Sequence, residues 1–367
     1  MKNKKYWIIL GALILIAASF IYLNFFSKKT EKEEGVPNSY STILGEGELS
    51  AVYGQELAFQ LKNEPSVQKV MVYLDDSLTW SKSEPKAEET VKISLKNLTL
   101  GTHKVRIEAL ASNDNRSILE RDVQVLSDLV PQNWPLTILQ KLPHNDSLFT
   151  EGLCFYNGKL FEGTGDGQYK GETMVGEINV DNGKVLRRVK RSAPIFGEGV
   201  TVFNGELFQL TWKDHVCYVY DEKTLKSLRE INYSGEGWGL THNGKQLIQS
   251  DGTERLYFRD PKSFSIQKTI QVFDNKGPVT KLNELEYIAG YVYANIWTTN
   301  QVVVIEPSTG KVIAYINADI LAKEGKGNGD VLNGIAFNSA NNKLYMTGKN
   351  WPVMFEVKID ILSKAVQ

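Results

Sequence analysis

Apolar and polar residues alternate in short runs along most of the chain, and turn residues punctuate the runs. This period of two predicts half-buried strands rather than helices. The clearest unit is residues 195–212, IFGEGVTVFNGELFQLTW. Phe196 comes first, then Glu198 between two glycines, an apolar run, an Asn204-Gly205 turn, and a second run ending on Trp212. Asn-Gly between two strand-like runs is the strongest short hairpin signal. The strand ends that carry Glu198 and Trp212 are therefore expected near each other, opposite the turn.

The same unit is written five times. Phe149-Thr150-Glu151-Gly152-Leu153 leads to Asn157-Gly158; Gly237-Trp238-Gly239-Leu240 to Asn243-Gly244; Asn283-Glu284-Leu285-Glu286-Tyr287 to Ala289-Gly290 and on to Trp297; Leu332-Asn333-Gly334-Ile335-Ala336 to Asn341-Asn342. The period is roughly 40 to 50 residues, that of propeller blades. Third and fourth strands follow most hairpins, as at Val304-Ile305-Glu306-Pro307 and Gly310-Lys311-Val312-Ile313. The expectation is an all-β chain with a five-bladed β-propeller over residues 130–367. Its ring would close by pairing 136–140 with the C-terminal strands 343–347 and Val353–Ile359.

Residues 40–129 read as shorter alternating strands, for example at 57–61, 69–74, 90–95 and 103–109, which suggests a small β-sandwich. Gly101-Thr102-His103-Lys104-Val105-Arg106-Ile107 resembles a late strand of bacterial immunoglobulin-like modules. No chemistry collects there, and a spacer or docking role is expected. His103 reads as a surface strand residue. Ahead of this, Lys2, Lys4 and Lys5 precede an apolar stretch at residues 6–26. That is about the length that spans a bilayer as a helix. Residues 1–27 are therefore read as a signal anchor, or alternatively a cleaved signal peptide, and 28–39 as a solvated linker. The domains would be membrane-anchored and exported to the periplasmic or extracellular face, or secreted if the signal is removed.

Charge alters the picture little. With 42 basic and 43 acidic residues the net charge is −1, and nothing points to nucleic acid. The two cysteines, Cys154 and Cys217, make no disulfide framework. They are read as buried thiols, with a single bridge between them left open. The four histidines, His103, His144, His215 and His242, show no metal-ligand spacing. Neither a nucleophile elbow nor a P-loop occurs. Gly163-Thr164-Gly165-Asp166-Gly167 reads as a turn rather than a phosphate loop, since no helix follows it.

The motifs FTEGL, FGEG, QLTW, EGWGLT, NELEY, NIW and LNGIA, in this order from about Pro135 to about Ile361, resemble the plant-type and bacterial glutaminyl-peptide cyclotransferases. The resemblance implies conversion of N-terminal glutamine, in peptides or proteins, to pyroglutamate with loss of ammonia. It implies a general acid/base at Glu198, walls at Trp212, Trp238 and Trp297, and carbonyl-binding groups at Asn283 and Lys349. Phe149, Glu151, Phe196, Glu286 and Asn333 stand at equivalent strand ends and complete the expected mouth. A metal-independent carboxylate mechanism is expected, with no cofactor and with room for a structural Ca²⁺ in the channel. Two departures stand out: Glu151 where the family usually has Gln, and Gly163 where it usually has Ser. Competing readings are a metal-dependent, lactonase-like propeller hydrolase using Glu151, Glu198, Asn283 and Asn333, and a non-catalytic propeller binding module.

Overall fold

The structure, a computed structural model, describes residues 39–360 apart from 46, 97, 113, 167–172 and 192–193. The apolar segment 6–26 and nearly all of the expected linker lie outside the described residues. Among those described, no helix is long and apolar enough to cross a membrane. The protein is all-β, with a single short helix, Asp319–Gly325, among the described residues.

Five consecutive antiparallel sheets follow the repeats. The first holds Thr150–Tyr156, Lys159–Thr164, Thr173–Ile178 and Val185–Arg191 in order; the second Gly197–Phe203, Glu206–Thr211, Val216–Asp221 and Ser227–Asn232. The third holds Leu240–His242, Leu247–Ser250, Arg255–Arg259 and Ile266–Gln271; the fourth Leu282–Ile288, Tyr291–Ile296, Gln301–Ile305 and Val312–Asn317, with Gln132–Asn133 added in parallel at its edge. The fifth combines Leu332–Asn338, Lys343–Gly348 and Val353–Ile359 with Leu136–Pro143, so the strand before the first repeat completes the sheet of the last. Asn157 and Asn204 turn in the left-handed region at φ 50° and 51°, as tight hairpins require.

First and second strands are buried almost throughout, whereas fourth strands such as Val185–Arg191 and Ser227–Asn232 alternate half-buried with exposed. The first strands of neighbouring sheets approach main chain to main chain. A Cβ on Gly199 would lie 2.5 Å from both Leu240 N and Trp238 O, and one on Gly239 would lie 2.0 Å from Asn283 O. Only glycine admits such contact.

Residues 41–126 form a three-stranded and a five-stranded sheet. Glu56–Asn63 alternates strictly, burying Leu57, Phe59 and Leu61, and Val67–Leu74 buries Val70, Val72 and Leu74. Four further strands not named from the sequence lie in this region: Ser41–Ile43, Leu49–Val52, Ser77–Ser83 and Arg116–Leu126. Ser77–Ser83 is polar and almost wholly exposed, so it carried no apolar alternation to read. The chain divides into two compact units. The smaller includes Ala58–Ile93 and Lys104–Arg121, and the larger includes Glu48–Leu57, Ser94–His103 and the described residues from Asp122 onward.

Candidate active site

Four of the five first strands are irregular at one place. Pairing with the second strand slips at Thr150/Gly152, Gly197/Val200, Leu282/Leu285 and Leu332/Ile335. Each slip falls on an expected site residue: Glu151, Glu198, Asn283 and Asn333. A bulge turns a side chain out of the regular alternation, and three of these four residues line one cavity. In the third sheet, Trp238 reaches the same cavity from just before the strand.

The cavity has a volume of about 210 Å³ and is lined by Phe149, Glu151, Asp166, Phe196, Glu198, Trp212, Trp238, Asn283, Trp297, Asp330 and Lys349. This is smaller than a typical drug-sized site, and it suits a single side chain and its backbone. Trp212 N donates to Phe196 O at 3.0 Å, which brings the two ends of the second-sheet hairpin together. The rings meet edge to face. Phe149 stands 6.2 Å from Phe196, Phe196 5.8 Å from Trp212, and Trp238 5.5 Å from Trp297. Trp297 is 37% exposed, so the wall opens to solvent on its side.

At the cavity floor Lys349 Nζ lies 2.6 Å from Glu151 Oε1, with both side chains almost fully buried. Asn333 Nδ2 reaches Glu151 Oε2 at 3.3 Å. The Glu151 charge acts on the Glu198 carboxyl across the cavity floor, which disfavours ionisation of both together. Burial pushes Glu198 well above the usual carboxylate range, and the neighbouring Glu151 charge pushes it further. Burial raises Glu151 too, while Lys349 opposes it. The Lys349 ammonium beside Glu151 favours the ionised form of that carboxyl. Glu198 Oε2 is buried with no hydrogen-bond partner among the described residues, as is Asn283 Oδ1. Two unsatisfied polar atoms on cavity-lining residues are costly unless a ligand meets them.

Glu286 and Asn333 do not line the cavity. Glu286 accepts from Phe337 N at 2.9 Å and Thr241 Oγ1 at 3.3 Å, and burial pushes it up to about 8. Glu284, two residues earlier on the same face, accepts from Ile335 N at 2.8 Å and Leu153 N at 3.3 Å. Both carboxylates thus tie the fourth sheet to its neighbours, because strand alternation turns them away from the mouth. Asn333 sits behind Glu151 and also donates to Thr150 O at 3.0 Å.

Asp166 and Asp330 line the cavity and were missed, as was Glu236 at its margin. Asp166 stood in a stretch read only as a turn. Asp330 stands two positions before Leu332, where the fifth repeat begins. Its main chain pairs with Lys349, N to O at 2.7 Å, and its carbonyl accepts from the fully buried Trp351 Nε1 at 2.9 Å. Cys154 and Cys217 are buried and free. His144 is also buried, away from the lining.

Comparison with known proteins identifies the family. The sequence model of the glutamine cyclotransferase family matches residues 110–359. The match begins earlier than the motifs themselves and takes in the strand Arg116–Leu126. A glutaminyl-peptide cyclotransferase of Arabidopsis thaliana is 35% identical over 230 residues, covering 61% of this chain and 71% of its own length. The crystal structure of Myxococcus xanthus glutaminyl cyclase superposes with a TM-score of 0.59 at 34% identity, over 62% of this chain and 98% of the other. The chain belongs to the glutamine cyclotransferase family and is an enzyme of the glutaminyl-peptide cyclotransferase type.

Proposed function

We propose that this protein cyclises N-terminal glutamine of peptides or proteins to pyroglutamate, releasing ammonia, with Glu198 as the single acid/base and no metal ion in the reaction. The observation that carries this is the buried Glu198–Glu151–Lys349 cluster facing an aromatic slot. The glutaminyl side chain lies between the rings, and its neutral α-amine attacks the side-chain amide carbon. A C–N bond forms to the α-nitrogen. Glu198 gives its proton to the amide nitrogen, that C–N bond breaks, and ammonia departs. The resulting Glu198 carboxylate takes a proton from the former amine nitrogen and returns to its starting state. A free α-amine titrates near ~7.7–8.0 and an ordinary Glu near ~4.3, so raising Glu198 narrows the gap the proton must cross. Asn283 Oδ1 is an acceptor open to an N–H of the bound glutamine. In this reading Lys349 holds Glu151 ionised, and Glu198 carries the proton.

We read the five sheets as the blades of a five-bladed propeller, closed by Leu136–Pro143 pairing with Val353–Ile359. We read residues 40–129 as an immunoglobulin-like spacer and 6–26 as an anchor that places the enzyme on the exported face of a membrane. A lactonase-like metal site is the less favoured reading, because Glu151 is already held by an ammonium and a side-chain amide. The test is ammonia release from a Gln-initiated dipeptide, with and without chelator, and with added Ca²⁺. Release that survives chelation supports the proposal. Loss on chelation, restored by a metal, would overturn its metal-free part. No release at all would overturn the substrate assignment.

A further inference from the structure

The aromatic wall has a gap between Trp212 and Trp238, and a carboxylate bridges it. Glu236 Oε2 accepts from Trp212 Nε1 at 2.8 Å and from Trp238 Nε1 at 3.0 Å. The other oxygen faces Lys213 Nζ at 3.7 Å, and that ammonium stands 3.9 Å over the Trp212 ring. Glu236 is itself held at the main chain, where its carbonyl accepts from Gln249 Nε2 at 2.9 Å. Gly237 N donates to Trp212 O at 3.2 Å, which ties the Glu236 loop to the second-sheet strand end.

An indole can tilt about its two side-chain torsions unless its N–H is anchored. Here one oxygen anchors two indoles from different sheets. Each is in turn stacked edge-on against the next ring, Trp212 on Phe196 and Trp238 on Trp297. Together these contacts join Phe149, Phe196, Trp212, Trp238 and Trp297 into one arc. We infer that Glu236 is a positioning residue for the reaction: by pinning both indoles it sets the width of the slot that grips the glutaminyl side chain. The inference rests on the functional reading above. Glu236 touches no reacting atom in that reading, so its loss acts on substrate capture before chemistry.

The experiment joins kinetics to a signal that does not depend on activity. Indole ¹H–¹⁵N resonances of the full chain are assigned with W212F and W238F, then followed in E236A and E236Q. In E236A both indole N–H signals move upfield and exchange faster with solvent. KM for a Gln-dipeptide rises about tenfold, the worth of one charge-assisted hydrogen bond, while kcat changes less than about threefold. E236Q keeps an acceptor oxygen and recovers most of the lost affinity. Unmoved indole signals in E236A, or a loss confined to kcat, would overturn the inference. Should E236A not fold, E236Q decides alone: both indole signals shift part of the way, or the bridge is not there. If the wild-type protein releases no ammonia, the functional reading fails, and the indole signals still decide the pinning.

Discussion

At the residue scale the protein rests on an asymmetry between two adjacent carboxyls. Glu151 meets a cation and an amide, whereas Glu198 keeps one oxygen unpaired. Glu198→Gln should fold normally and lose about 10²–10⁴ in kcat, the usual contribution of one acid/base group. Near-wild-type turnover with a normal melting curve would remove Glu198 from the mechanism. Glu151→Gln removes the charge that, after burial, most raises Glu198. Glu198 then loses its proton at lower pH, so the basic limb of the kcat profile should move down. A limb that stays in place would show that Glu198 does not act as the acid.

At the scale of elements, two contacts bind neighbouring sheets. His144, on the loop after the closing strand Leu136–Pro143, lies 3.2 Å from Glu162 Oε2, with both side chains fully buried. Its other nitrogen meets Trp351 O at 2.8 Å, and Glu162 Oε1 accepts from Thr150 Oγ1 at 2.7 Å. Both ring nitrogens face acceptors, which suits an imidazolium. Burial alone would depress His144, but Glu162 and the Trp351 carbonyl outweigh it and the net shift is upward. A raised folded value means the stabilisation is fully present below the unfolded value of about 6.5. It is lost as pH rises through the folded value. Melting at pH 5.5 and 8.5 should therefore show a larger drop for wild type than for His144→Gln, roughly 2–4 °C for each kcal/mol the pair is worth. Equal drops would show a neutral histidine. Gly199→Ala would drive a Cβ into the backbone of the third sheet, at 2.5 Å from Trp238 O and Leu240 N. We expect about 1–3 kcal/mol of destabilisation from this overpacking, with catalysis falling because Glu198 is next in the chain. Denaturant midpoints for the variant check it, and an unchanged midpoint would mean the sheets have slack.

At the scale of the whole molecule, every cavity-lining residue lies between Phe149 and Lys349. A chain beginning at Val130 keeps Gln132–Asn133 on the fourth sheet and the buried Trp134. It loses Glu48–Leu57 and Ser94–His103, which group with the larger unit. Such a truncation should turn over a small Gln-dipeptide at near the full-length kcat but melt at a lower temperature. A folded but inactive product, judged by circular dichroism and ammonia release, would make the N-terminal part necessary to the site.

Residues 195–212 already implied a hairpin with Glu198 and Trp212 at its open end, because period-two patterning and an Asn-Gly turn are local properties of the chain. Repetition of that unit likewise implied a series of small antiparallel sheets and the strand that completes the last of them. Nine of the eleven expected site residues meet in one cavity, since equivalent positions in a repeat end at equivalent places. Strand alternation past a bulge depends on where the pairing slips, and that depends on the neighbouring strand. Hence Glu286 and Asn333 were misplaced, and Glu284 was not seen as a tie between sheets. Asp166 and Asp330 lie outside the quoted motifs and Glu236 opens the motif EGWGLT without a role read for it; only chain packing brings the three together at the rim. What sets the two carboxyls apart was likewise a tertiary matter: Lys349 arrives 2.6 Å from Glu151 across 198 residues of sequence.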